Sequence, residues 1–118
     1  MQIDTQSLNH AALVYLPEQL LMKNAAVVRT ELLELIKNGE TRLLFDLKGV
    51  GFIDSSGLSV LVSTFKALQP VNGSMALLSP SDAVRSLIEL TRLHEIFDIY
   101  EDRDAALDTF CCDAGGLS

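Results

Sequence analysis

Residues 43–68 read LLFDLKGVGFIDSSGLSVLVSTFKAL, and three kinds of local order follow one another along them. Thr41 to Leu47 (TRLLFDL) is apolar on both side-chain parities, the pattern of a strand covered on much of both faces and therefore central in a sheet. The loop KGVGFIDSSG comes next. From Leu58 onward the apolar residues fall at Leu58, Leu61, Val62, Phe65 and Leu68, the 3.6-residue stripe of a helix with one buried side. A buried strand that passes through a short loop into a one-faced helix predicts an α/β fold with right-handed crossovers.

The flanking sequence extends the same alternation. Upstream, Ala11 to Leu16 (AALVYL) is a short β-compatible run ending at Pro17, and Ile3 to Ser7 fits an edge strand beside it. Between Met22 and Asn38 the apolar positions Ala25, Val28, Leu32, Leu35 and Ile36 form one helical stripe, which Asn38-Gly39 stops. Downstream, Gln69-Pro70-Val71-Asn72-Gly73 breaks the second helix and Ser74 to Leu78 (SMALL) forms another strand. Ser79-Pro80-Ser81-Asp82 reads as a helix start, with Ser79 as N-cap, Pro80 at the first position and Asp82 as an acidic third residue. Val84, Leu87, Ile88 and Thr91 are its expected inner face. Ile96 to Tyr100 is a last strand, Asp102 to Phe110 a last helix, and 113–118 a mobile tail. The predicted order is ββαβαβαβα. One α/β domain over residues 1–112 fills the chain, with a small mixed sheet.

Composition narrows the function. The 118 residues fit one core. Nine Lys+Arg against sixteen Asp+Glu give a net charge of −7 and a sequence pI near 4.6. Such a chain repels phosphate backbones and anionic lipid, so general binding to nucleic acid or to a membrane surface is a poor expectation. Nothing approaches the apolar length of a membrane span, and MQIDTQSLNH lacks the basic start and apolar run of a secretory signal. Cys111 and Cys112 are neighbours; they cannot staple distant segments and lack metal-ligand spacing. The expected setting is reducing and cytoplasmic, without metal or cofactor.

The feature with chemical potential is Asp54-Ser55-Ser56-Gly57, between the central strand and the second helix. Amides at a helix start are unpaired and carry the positive end of the dipole, so Asp54 or Ser55 can serve simply as a cap. The same place tolerates a phosphoryl group on an exposed hydroxyl. A phosphate there would leave the helix intact and act on whatever docks against the surface. Catalysis fits less well. Ile53 stands where a G-x-S-x-G elbow needs its first glycine, the histidines His10 and His94 read as solvated or capping, and no Walker-type loop exists. The helix after the motif shows Ser59, Ser63, Thr64 and Lys66 on its outward side, with Val60 as an apolar residue off the core stripe. Leu20, Leu21 and Met22 are expected to extend an apolar patch nearby, suited to a partner.

Residues 43–68, together with LLSPSDAVRSLIELTRLHEIFDIYED over 77–102, resemble the signature of STAS domains, in particular the bacterial anti-sigma factor antagonists. The likeness runs from about Thr41 to Leu107. It implies a small mixed sheet with about four helices packed mainly on one side. It implies Ser55 as phospho-acceptor, Asp54 as its acidic neighbour, Ser56 as the accompanying hydroxyl and Gly57 at the helix opening. Leu21, Met22, Ser59, Val60 and Ser63 become candidate partner contacts. The implied partners are a serine kinase of the anti-sigma factor type and a PP2C-type phosphatase. A response regulator carrying kinase or phosphatase domains fits equally well. The alternative is a STAS subunit of a lipid-transport or signalling assembly that works without phosphorylation. One departure stands out: where the family commonly has G-x-[LI]-D before the first helix, this chain has Pro17-Glu18-Gln19-Leu20-Leu21, with Leu21 at the usual acidic position.

Overall fold

The computed structural model describes residues 3–7 and 11–108. Its elements are β1 (Asp4–Ser7), β2 (Ala12–Tyr15), β3 (Gln19–Leu20), α1 (Met22–Lys37), β4 (Arg42–Asp46), β5 (Phe52–Ile53), α2 (Ser55–Leu68), β6 (Ser74–Leu78), α3 (Asp82–Leu90) and β7 (Asp98–Tyr100). A further helical segment covers 103–108, and single 3-10 turns lie at Gln69–Val71 and Leu93–Glu95. The end of the expected last helix, both cysteines, His10 and the 113–118 tail fall outside the described residues.

The described strands form a five-stranded mixed sheet, ordered β1-β2-β4-β6-β7. β1 runs antiparallel to β2 and every other neighbouring pair is parallel. Each parallel pair is joined through a helix, as parallel pairing requires. β4 lies at the centre, as its two-sided apolar pattern predicts. Register puts Val14, Phe45 and Leu77 in one row across the sheet, and Leu13, Leu44 and Ala76 in a row on the opposite face. The first face packs under Ala25, Val28 and Leu32 of α1, Leu58, Val60, Leu61 and Leu68 of α2, and Val84 and Ile88 of α3. The opposite face is smaller and is closed by Ala106 and Leu107 from the 103–108 segment. Three helices thus cover one side and one covers the other.

Several local expectations change. Ser79 is not an N-cap: it sits at φ +53, its amide donates to Tyr100 O and its hydroxyl to Glu101 O, which ties it to the β7 side. The true cap of α3 is Ser81, whose Oγ accepts from Val84 N–H while its own hydroxyl donates to Val50 O. Pro80 precedes the cap, and Asp82 opens the helix as its first residue. Thr91 lies beyond the last turn and is exposed, so it belongs to no inner face. The last strand begins at Asp98, because Leu93–Glu95 coils first and buries Leu93 and Phe97.

The outward side of α2 also differs. Val60 is 3% exposed and Thr64 fully buried, the latter with its hydroxyl donating to Val60 O. α2 packs along α1 as well as against the sheet, so its buried arc is wider than one stripe. Its other flank meets β7's approach, where Phe65 and Phe97 meet edge to face with ring centroids 5.7 Å apart.

Phe45 is fully buried at the centre of the middle strand. Phe45→Ala should therefore cost about 3–5 kcal/mol of unfolding free energy, read as a lowered urea midpoint; a loss below about 1 kcal/mol would contradict this packing.

Candidate functional site

The site is built where two chain segments are stitched together. Gly51 and Phe52 amides both donate to Glu18 O, at 2.9 and 3.2 Å. β3 and β5 then pair in parallel, Gln19 opposite Phe52 and Leu20 opposite Ile53, and Asp54 N–H donates to Leu20 O at 3.3 Å. This two-residue ribbon, hidden from sequence reading inside an apparent loop, brings the starts of α1 and α2 side by side.

Asp54 joins them. It is the N-cap of α2, and its Oδ1 accepts from Gly57 N–H at 3.0 Å. Its Oδ2 accepts from Met22 N–H, the first residue of α1, at 3.1 Å. The Gly57 amide above all, then those of Met22, Ser56 and Asp54 itself, hold the carboxyl below its ordinary value of 3.8 against a smaller desolvation cost. Leu21 is the N-cap of α1 and offers no acceptor; its amide donates instead to Asn24 Oδ1 at 2.9 Å, while Asn24 Nδ2 donates to Gln19 O at 2.8 Å. No acidic residue lies in the first turn of α1. Asn24 was not singled out from sequence. The available signal was a side-chain acceptor three residues after the helix boundary, the reciprocal half of a capping box whose first position is here a leucine.

Gly57 is buried and closely approached. A Cβ there would lie 2.3 Å from Leu20 O and 2.6 Å from Ile53 Cγ1, so only glycine lets α2 start against β3 and β5.

Ser55, the first residue of α2, is exposed, and its carbonyl accepts from the Ser59 hydroxyl at 3.0 Å; Ser56 is half-buried. Two shallow grooves flank this turn. One, about 270 Å³, runs between α1 and α2 and includes Met22, Ala26, Arg29, Ser56, Ser59 and Val60. The other, about 400 Å³, lies on the far side of α2 and includes Ser55, Ser59, Ser63, Lys66 and Thr91. Ser59 lines both. Among the described residues, Arg29 and Lys66 are the charged ones lining these grooves, and no carboxylate, imidazole or thiol lines either.

Met22, Ser59 and Ser56 therefore share one groove and Ser55 and Ser63 the other. Leu21 lies around the corner with Phe52 and Ile53. Val60 reaches the floor of the first groove but is buried, so its role as an exposed contact is corrected. Leu20 is fully buried within the ribbon and is no part of an exposed surface, whereas Met22 (77% exposed) and Phe52 (59%) are exposed. The Phe52 contribution was missed because β5 reads as loop.

The STAS domain family model matches residues 2–106. The chain is 38% identical over 76 residues to the anti-sigma-B factor antagonist of Bacillus subtilis, covering 64% of this chain and 69% of that protein. It is 28% identical over 108 residues to the anti-sigma F factor antagonist of Paenibacillus polymyxa, covering 91% of this chain and 92% of the relative. Among solved structures, the fold matches the unphosphorylated anti-sigma factor antagonist SpoIIAA with a TM-score of 0.80 at 19% identity, over 98% of both chains. It also matches phosphorylated SpoIIAA of Bacillus, with a TM-score of 0.72 at 20% identity over 90% of this chain and 96% of that one.

Gly57→Ala should destabilise the chain by about 1–3 kcal/mol, seen as a lowered melting midpoint, because the methyl group meets backbone. An unchanged midpoint would contradict the close approach. Because the folded-state pKa of Asp54 lies below 3.8, its stabilising contribution is complete above that value and is lost as pH falls through it. The stability gap between wild type and Asp54→Asn should therefore close on acidification below 3.8; a constant gap there would show that the carboxylate charge does not contribute.

Proposed function

The chain belongs to the STAS domain family, and on that premise we propose that it is a phosphorylation-controlled binding protein of a bacterial partner-switching pathway. Its unmodified form binds a serine kinase of the anti-sigma factor type, or a response regulator carrying such a domain. The kinase phosphorylates Ser55 and thereby releases the complex; a PP2C-type phosphatase restores it. The function is binding, not catalysis, and the setting is the cytoplasm.

The observation that carries this reading is the exposed Ser55 hydroxyl on a rigidly held helix start. Asp54 engages two amides and Gly57 packs against Leu20, so the backbone that carries Ser55 is held in place at the helix start. Among the described residues neither groove is lined by an acid or an imidazole, and on this reading the kinase removes the hydroxyl proton. The relatives named as anti-sigma factor antagonists support the pathway class, and SpoIIAA, the structural relative, exists in both phosphorylation states.

The switch follows from charge. A phosphate adds about −1.5 to −2 charges where the helix dipole favours them, so the fold survives modification. The grooves on either side carry Arg29 and Lys66 and, among the described residues, no lining acid. A dianion at Ser55 reverses the sign of that surface and adds bulk, and a partner fitted to the unmodified face is repelled. Leu21, Met22 and Phe52 add apolar area at its edge. No helix among the described residues is long and apolar enough to cross a membrane.

Incubation with the cognate kinase and ATP should add about 80 Da to the wild type and nothing to Ser55→Ala, by intact mass. Equal labelling of both proteins would overturn the assignment of Ser55. Ser55→Asp should weaken partner binding by about tenfold or more, measured by titration calorimetry; an unaltered affinity would remove the charge switch. Met22→Ala should lower partner affinity by about 1 kcal/mol or more while changing stability by less than about 0.5 kcal/mol. Unchanged binding would exclude the α1–α2 groove as the contact.

A further inference from the structure

We propose that Asp54 is a positioning residue that transmits the state of Ser55 to the start of α1. This rests on the reading of Ser55 as the phospho-acceptor and goes beyond a local effect of added charge. One carboxylate holds the first turns of two helices, through Gly57 N–H on its own helix and Met22 N–H on the other. These two bonds differ in their surroundings. The Gly57 bond lies within one turn and is part-buried, whereas the Met22 bond spans 32 positions of sequence and is exposed.

A phosphoryl group on the very next residue places up to two negative charges and three acceptor oxygens beside this carboxylate. Repulsion acts on Asp54, and the phosphate competes for the amides at the start of α2. The exposed, long-range bond is the one that yields. α1 has no replacement at that amide: Leu21 carries no acceptor, no acidic residue stands in the first turn, and Asn24 is engaged with the Leu21 amide and Gln19 carbonyl. Met22 also lines the α1–α2 groove together with Ser56 and Ser59. Modification of Ser55 therefore loosens the Met22 edge of that groove without unfolding either helix. The partner reads a displaced edge as well as a charge.

The test uses the full chain with phosphoserine encoded genetically at position 55, so it needs no kinase. Amide hydrogen exchange by NMR should show the Met22 amide exchanging about five- to tenfold faster than in the unmodified chain. The Leu21 amide, held by Asn24, and the β4 amides should keep their rates. Asp54→Asn should raise Met22 exchange in the unmodified protein and abolish its further response to phosphoserine. An unchanged Met22 rate in the phosphoserine protein overturns the proposal, as does a uniform acceleration of α1, α2 and β4, which would mean general destabilisation. The phosphoserine protein suffices if Asp54→Asn does not fold. A kinase that ignores Ser55 would show as an absent mass gain and would leave the exchange result standing, so the two failures are told apart.

Discussion

The arrangement depends on a close contact between the backbone of Leu20 and the first turn of α2 at Gly57. Strands β2 and β4 are parallel neighbours, so their carboxyl ends lie on one edge of the sheet and the helices that follow begin there. That alone leaves α1 and α2 near one another without fixing their relative height. The β3–β5 ribbon and the absence of a side chain at Gly57 supply the missing constraint: the chain leaving β2 and the chain leaving β4 are zipped together for two residues before each helix starts. A binding surface at the carboxyl edge of a largely parallel sheet is a general outcome of such topology. Here that edge carries the first turn of α2, with Ser55 and Ser59 exposed.

Electrostatics give that turn its character. The molecule is strongly acidic as a whole, yet among the described residues the grooves beside Ser55 are lined by serines and apolar side chains with Thr91, Arg29 and Lys66. Asp54 is the nearby exception, and its charge is already engaged by amides from two helices. At physiological ionic strength, charges more than about 8 Å apart on the surface are largely screened. The net −7 therefore says little about what approaches this face, and the local lining says more. On the proposed reading, a phosphate at Ser55 would add its charge to a face whose described lining is basic rather than acidic.

Much of this was legible in the sequence. The strand at 42–46 and the helix at 55–68 follow from apolar parity and from the 3.6-residue stripe, because burial against a sheet writes directly into side-chain pattern. A polar cap at Asp54 or Ser55 was legible because capping chemistry is local, and the structure gives that role to Asp54. What escaped was tertiary. Two-residue strands such as Gln19–Leu20 and Phe52–Ile53 have no periodicity to read. Val60 looked outward because a single stripe cannot announce that a helix is buried on two sides, against the sheet and against α1. Ser79 resembled a cap because Ser-Pro fits a helix start, but it is held by the hydrogen bonds it donates to the carbonyls of Tyr100 and Glu101, more than twenty residues away.

Leu21 shows how a local loss becomes a tertiary dependence. A leucine at an N-cap forgoes about 1 kcal/mol relative to Asp, Asn or Ser, and α1 has no acid in its first turn to compensate. The helix nevertheless begins at Met22, because Asn24 satisfies the amide of Leu21 and Asp54 that of Met22. The first of these is encoded three residues away; the second arrives only once β5 has paired with β3. The start of α1 is thus conditional on the loop that carries Ser55 being in place. A chain with an acceptor at position 21 would define its first helix from within its own segment. This one places part of that definition on Asp54, the residue next to its exposed serine, so the first turns of α1 and α2 belong to one hydrogen-bonded unit.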